Sequence, residues 1–374
     1  MAEPLKNSFG AEIPTKIAAM ISAVFPAFDV EAFVADALKG YETLELMPRG
    51  RKIAQALGRH LPADYAEAAT ILLASLGPKL DQTGDNGMAP FLYLPHVCFV
   101  AQHGLDHFEV SMQAQHTLTQ RFTAEFSIRP FLERHPEATL ARLRAWTEDP
   151  SPHVRRLVSE GTRPRLPWAP RLRDFQKDPR PVLKLLELLK DDPEPYVRRS
   201  VANNLNDIGK DHPSLLVETS RRWMLDAGED RRRLVRHALR SAIKRADPGA
   251  LGVVGFGLAA EVSLGKAKVS PKRVAIGDSV ALGFEITNAE SRRQRVLVDF
   301  RIHYVKANGE TRPKVFKLKE LDLGPGETAK LNKTVSLVQR TTRKHHPGRH
   351  RVEVVLNGCI HPLGAFELSG SREP

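Results

Sequence analysis

Apolar residues recur at intervals of three and four over the first two thirds of the chain. Ile17, Met20, Ile21 and Val24 follow this spacing, as do Phe33, Val34 and Leu38, then Ala66, Ala69, Leu72 and Leu73, then Leu140, Leu143 and Trp146. The period is that of amphipathic helices, and it runs from about Glu12 to Arg245. Proline beside Asp, Glu or His punctuates it at Leu61-Pro62-Ala63-Asp64, His135-Pro136-Glu137, Asp178-Pro179-Arg180-Pro181 and Asp211-His212-Pro213, spacings that predict short helices in pairs. Residues Asp81–Ala89 read as an exposed loop. Near Ala246 the pattern changes. Asp247–Gly257 is rich in glycine and predicts a linker, after which the period drops to two in Val280–Ile286, Val296–Val305, Val335–Val338 and Val352–Leu356. Turn signals separate these runs, so about seven short strands are expected, in a β-sandwich of immunoglobulin type. The predicted domains are 1–250, helical, and 261–374, all-β, with 251–260 joining them.

One phrase occurs twice. Asp149-Pro150-Ser151-Pro152-His153-Val154-Arg155-Arg156 returns 43 positions later as Asp192-Pro193-Glu194-Pro195-Tyr196-Val197-Arg198-Arg199, and Val235-Arg236-His237 forms a degenerate third copy. This is the period of HEAT-like helical repeats, so the fold class is an α-helical repeat solenoid followed by an immunoglobulin-like β-sandwich. Prolines end one helix and open the next, and paired arginines then line one face. Val154, Leu157, Val158 and Gly161 share the side of the helix that packs, leaving Arg155, Arg156, Ser159 and Glu160 toward the others.

Charge strengthens the case for a polyanionic partner. The net formal charge is +12, but residues 1–150 hold 13 Lys and Arg against 18 acids, while residues 151–374 hold 43 against 26. A basic patch of this kind suits phosphate. Two cysteines, Cys98 and Cys359, are too few for a disulfide framework and predict a reducing cytoplasm, with the protein at the nucleoid. No signal-peptide pattern and no apolar run of about 18 residues is seen, so no membrane is expected.

Several motifs admit two readings. Glu160 is either a carboxylate with a task among arginines or half of an Arg156–Glu160 i,i+4 pair worth a few tenths of a kcal/mol. Gly161–Pro170 holds two arginines, three prolines and Trp168. Trp168 either stacks on a base or sugar or caps the core below it. Val201–Pro213 carries Asn203, Asn204, Asn206 and Asp207, a set that suggests a hydrogen-bond network. Glu125 with Arg129 four residues on reads by default as a structural salt bridge. His103, His107 and His116 lack the glutamate of a zinc-protease motif and do not predict a metal site. Gly252–Gly257 lacks dinucleotide-loop spacing, and neither a Walker A sequence nor a Gly-x-Ser-x-Gly elbow occurs.

Glu125-Phe126-Ser127-Ile128-Arg129-Pro130-Phe131, Ser159–Trp168 and Arg198–Asp207 together resemble the AlkC branch of the HEAT-like-repeat DNA glycosylases, which differs from its AlkD relatives by an immunoglobulin-like C-terminal domain. The resemblance spans nearly the whole chain. It implies a monofunctional glycosylase that excises 3-methyladenine, and by extension 3-methylcytosine, from duplex DNA in base excision repair. It also implies that the base is not fully flipped out, in contrast with most glycosylases. No cofactor and no metal are expected, and the protein should act as a monomer. An approach from the minor groove follows from the position of N3 of adenine. A carboxylate beside the sugar would favour the charge that develops there, which makes Glu160 the first catalytic candidate, Glu125 the second and Asp207 the third, with the Trp168 face beside the cationic base; the resemblance does not choose among the three. Arg155, Arg156, Arg163, Arg165, Arg198 and Arg199 would hold phosphates, with Asn203 and Asn204 among the DNA-contacting residues. The competing readings are a non-catalytic HEAT-repeat scaffold for proteins and a general DNA-binding architectural protein.

Overall fold

A computed structural model describes residues 5–84, 87–257, 260–340 and 343–371. The helical part runs through α1 (Glu12–Ser22), α2 (Val30–Leu38), α3 (Leu46–His60), α4 (Tyr65–Ala74), α5 (Leu94–His103), α6 (Phe108–Thr119) and α7 (Ile128–Arg134). It continues through α8 (Pro136–Ala145), α9 (Pro152–Gly161), α10 (Arg173–Lys177), α11 (Arg180–Leu189) and α12 (Pro195–Asp211). The last three helices are α13 (Pro213–Met224), α14 (Glu229–Lys244) and α15 (Pro248–Val253). Both full copies of the repeated phrase lead into the start of a helix, whereas the degenerate third lies in the middle of α14. In α9 and α12 proline occupies the first turn, where the missing N–H has no intrahelical partner to lose. As the spacing predicts, Val154, Leu157, Val158 and Gly161 of α9 are buried. Gly161 is required there, since a Cβ would stand 2.5 Å from Ile128 Cγ2. α7 and the end of α9 therefore approach more closely than any side chain allows.

Chain contacts divide the molecule into two compact units. One comprises the chain up to Leu216 with Trp223–Ala238; the other comprises Val217–Arg222 and the chain from Leu239 onward. The division falls within α14, earlier than the expected boundary at 250. The expected linker is corrected in part, since α15 occupies Pro248–Val253, capped by Asp247 accepting from the Ala250 N–H at 2.8 Å. Leu251 and Phe256 pack with Leu297 of the sheet, so this segment is core, and its glycines had concealed that. Residues 258 and 259 of the expected linker lie outside the described residues, as do 85 and 86 of the Asp81–Ala89 loop.

Eight strands are described: β1 (Val262–Ser270), β2 (Arg273–Ile276), β3 (Ser279–Asn288), β4 (Gln294–Val305), β5 (Thr311–Leu323), β6 (Thr328–Ser336), β7 (Gly348–Leu356) and β8 (Cys359–Ser371). They form a three-stranded sheet, β1-β3-β6, and a five-stranded sheet, β2-β8-β7-β4-β5. Val280, Leu282, Phe284 and Ile286 of β3 share one buried core with Val296, Val298, Phe300, Ile302 and Tyr304 of β4. That is the period-two alternation of a two-sheet sandwich. Of the expected Val335–Val338 run, only its first two residues belong to β6.

Candidate active site

The repeated arginines have two different fates. Arg155 donates to Asp192 through Nε (2.6 Å) and Nη2 (3.1 Å), and to the carbonyls of Asp149 (2.8 Å) and Pro150 (3.1 Å). One repeat on, Arg198 donates to the carbonyls of Asp192 (2.6 Å) and Pro193 (2.8 Å) and pairs with Asp230 at 3.0 Å. The first arginine of each phrase thus reaches back to its own Asp-Pro turn and forward to the acid of the next repeat. This corrects the expectation that Arg155 and Arg198 hold phosphates, because their donors are spent on stapling repeats together. The second arginines differ. Arg199 is exposed and lines a groove of about 310 Å³ between α12 and α14, with Arg198, Arg233, His237, Asp230 and Leu234.

Arg156, the other second arginine, enters a buried chain of alternating charges. Its Nη1 lies 2.9 Å from Glu125 Oε2 and donates to Thr123 Oγ1 at 3.0 Å, and its guanidinium lies over the Tyr196 ring at 5.2 Å. Its expected partner Glu160 is farther, at 3.7 Å. Glu160 is taken instead by Arg163 Nη1 at 2.6 Å and by Ser200 Oγ at 2.6 Å. Arg163 continues to Asp207 through Nε and Nη2, both at 2.8 Å, and Lys210 closes the chain on Asp207 Oδ1 at 2.7 Å. Three carboxylates thus alternate with three cations. All three acids turn inward, and Glu125 and Glu160 keep only thin exposed edges.

Their oxygens are not equally engaged. Both oxygens of Glu160 and both of Asp207 accept from cations or hydroxyls, whereas the described bonds to Glu125 all fall on Oε2. The Asp207 side chain is 1% exposed, which corrects its candidacy as a catalytic group: it holds Arg163. Burial opposes the charge on Glu160, but Arg156, Arg163 and the Ser200 hydroxyl outweigh it and hold its pKa below the ordinary 4.5. Burial likewise disfavours the charge on Arg163, and Glu160 and Asp207 reverse that, raising its pKa.

Asn204 is fully buried and donates to the Ser159 carbonyl (2.7 Å) and Thr162 Oγ1 (3.0 Å), so it ties α12 to α9 and is corrected as a DNA contact. Asn203 is half-buried and bonds His237 at 3.0 Å. The Glu125–Arg129 bridge is also corrected. α7 begins at Ile128, so Glu125 precedes the helix and the i,i+4 spacing places no face there. Beyond Arg163, Leu166 is buried while Trp168 is 58% exposed, at φ +63°, so the core-capping reading of Trp168 gives way to an aromatic presented to solvent. A non-glycine residue at positive φ is uncommon and must be held there by its surroundings. Arg165 is held by Asp211 at 2.8 and 2.5 Å, which leaves it a weaker phosphate ligand than expected. The three histidines separate: His103 packs on Phe99, His107 on Tyr65, and His116 bonds Asp149. Among the described residues no cluster of three or more His, Cys, Asp or Glu is placed to hold a metal.

Thr123, Ser200 and Lys210 complete this chain and were not singled out from the sequence. Ser200 carried a signal, since it stands where the preceding repeat has Leu157, a polar residue at a packing position.

Comparison with known proteins gives this arrangement a family. Residues 120–246 match the DNA alkylation repair enzyme family, and residues 263–370 match the C-terminal Ig-like domain of the uncharacterised protein YhaZ. The uncharacterized protein YhaZ of Bacillus subtilis (strain 168) is 37% identical over 365 residues, 97% of this chain and 99% of its own. The Pseudomonas fluorescens alkylpurine DNA glycosylase AlkC, solved bound to DNA containing an abasic site analog, matches with a TM-score of 0.91. It is 40% identical, over 98% of this chain and 100% of that one. The chain belongs to the AlkC branch of the DNA alkylation repair family. In this AlkC-family chain the charged network lies within the matched repair region, in α9, α12 and the turn before α7.

Two outcomes follow from the site's chemistry. Arg155→Ala leaves Asp192 buried without its guanidinium and should cost about 3 kcal/mol of stability by urea unfolding, with DNA affinity of the folded protein unchanged. The stability gap between the parent chain and Glu160→Gln should be fully present above pH 4.5. It should close as the pH falls through the depressed pKa of Glu160, because protonation then costs the parent its ion pair.

Proposed function

We propose that this chain is a monofunctional DNA glycosylase, hydrolysing the N-glycosidic bond of cationic alkylated bases, 3-methyladenine foremost and 3-methylcytosine by extension, in duplex DNA. The reading is supported by the family and by the likeness to a DNA-bound alkylpurine glycosylase. The observation that carries it is the carboxylate of Glu125, fixed through Oε2 by Arg156 and Thr123, with Oε1 unengaged among the described residues. This reverses the order of candidates: Glu125 meets the substrate, and Glu160 holds Arg156 and Arg163 in place.

The chemistry needs little more. Methylation at N3 gives adenine a positive charge, so it departs as a neutral base and requires no general acid. As the bond from C1′ to the base nitrogen breaks, charge builds on the sugar ring. A fixed, partly desolvated carboxylate stabilises that charge, and such preorganised contacts contribute roughly 10²–10³ in rate. Water oriented by Glu125 Oε1 then adds to C1′ as the C1′–O bond forms, and its proton passes to that carboxylate and on to solvent. Because no lysine amine attacks, the product is an intact abasic site. Trp168 offers an exposed aromatic face to the cationic base. Arg199 and Arg233 offer guanidinium groups to the phosphates beside the lesion. The reaction so drawn uses no metal or organic cofactor, and a monomer acting on the nucleoid in the cytoplasm suffices.

Incubation with methylated duplex and chromatography of the released bases tests this. The parent chain should release 3-methyladenine, and Glu125→Gln should cut the single-turnover rate at least about 100-fold with DNA affinity retained. A protein that binds methylated and plain duplex alike and frees no base is an architectural protein instead. Arg199→Ala should weaken binding and lower the slope of log affinity against log salt by about one; an unchanged slope removes the groove from the DNA path.

A further inference from the structure

Arg129 is a buried cation whose described partners are all main-chain carbonyls. Only 3% of it is exposed, and it donates through Nη1 to Gly161 O (3.1 Å) and Arg163 O (2.8 Å) and through Nη2 to Pro170 O (2.5 Å). Burial lowers its pKa to about 10, which leaves it charged at neutral pH. The Gly161 carbonyl lies at the C-terminal end of α9, where the helix exposes unpaired acceptors and the negative end of its dipole, and the Arg163 carbonyl lies just beyond the C-cap. The third lies on the far side of the loop. A single planar guanidinium therefore joins the start of the 161–170 segment to its end. The close approach of α7 to Gly161 is what brings the group within reach.

Between these two anchor points lie Arg163, which orders Glu160 and Asp207, and Trp168, exposed in a strained backbone conformation. The prolines at 164, 167 and 170 stiffen the segment but do not fix where it stands. Leu166 anchors its middle, and one main-chain bond, from Leu172 N to Pro164 O at 3.2 Å, crosses its base.

We propose that Arg129 is a positioning residue for excision: by clasping Gly161, Arg163 and Pro170 it sets the loop so that Trp168 stands ready for the lesion and Arg163 keeps its register between Glu160 and Asp207. The assignment rests on the glycosylase reading above and adds to it a residue that touches no substrate. Lysine cannot replace it, because one ammonium cannot span carbonyls on both sides of the loop in a planar fork.

The test compares the parent chain with Arg129→Lys and Arg129→Gln. Trp146 and Trp223 are buried, so acrylamide quenching and fast fluorescence depolarisation report chiefly on Trp168. Both variants should retain the parent's circular dichroism. Both should show a nanosecond depolarisation component that the parent lacks, and excise 3-methyladenine at least about 10-fold more slowly in single turnover at saturating enzyme, with Kd for duplex within about threefold. A role in the fold alone would lower Tm and leave the rate of the folded protein unchanged. Unchanged depolarisation together with an unchanged rate overturns the assignment, as does failure of the Lys variant to fold, which would make Arg129 a fold residue. If the parent itself frees no base, the glycosylase reading fails, and the depolarisation result still decides whether Arg129 sets the loop.

Discussion

The charges of Arg156 and Arg163, two guanidinium groups set side by side and largely out of water, must be balanced, and that requirement organises the site. Arg156 and Arg163 are both largely removed from water, and each is held between two carboxylates. Neither could be buried without those acids, and the acids could not remain ionised without the arginines. Balanced in this way, the network fixes the relative placement of the turn before α7, helix α9 and helix α12. Removing one charge leaves its neighbour unpaired in a poorly solvated place, so the members behave as a unit. The same rigidity suits a reaction whose catalyst has little to do beyond holding a negative charge where a positive one develops.

The helical repeat supplies this arrangement economically. Its first arginine is structural in both full copies, since Arg155 and Arg198 make the same backward bonds to an Asp-Pro turn and the same forward reach to the next acid. Its second arginine is free to diverge. Arg156 turns into the network, Arg199 lies exposed on the groove, and the third copy has His237 at that register. Position 200 diverges too, exchanging the packing leucine of the earlier repeat for a serine that bonds Glu160. Function has been written into the repeat at positions that the staple leaves unoccupied.

Much of the architecture was legible in the sequence, because its signals are periodic. The helical spacing, the twice-written phrase and the change to period two each report a local property that tertiary packing preserved. The site was legible as a set of residues and not as a geometry. Periodicity does not say which of two adjacent arginines faces inward, and that depends on an acid in another repeat, such as Asp192 for Arg155. The Glu125–Arg129 pairing failed because the spacing rule holds only within a helix, and α7 starts between them. The expected linker failed for the opposite reason: its glycines suggest looseness, while Leu251 and Phe256 are core residues of the second unit.

In the proposed reaction Glu125 presents a fixed negative charge to the developing cation at the sugar. Comparing the affinity for duplex bearing a cationic azasugar with that for the neutral tetrahydrofuran abasic analogue measures this directly. The parent chain should prefer the cationic sugar by at least about tenfold, and Glu125→Gln should remove the preference while keeping the neutral affinity. An equal preference in both proteins would contradict it.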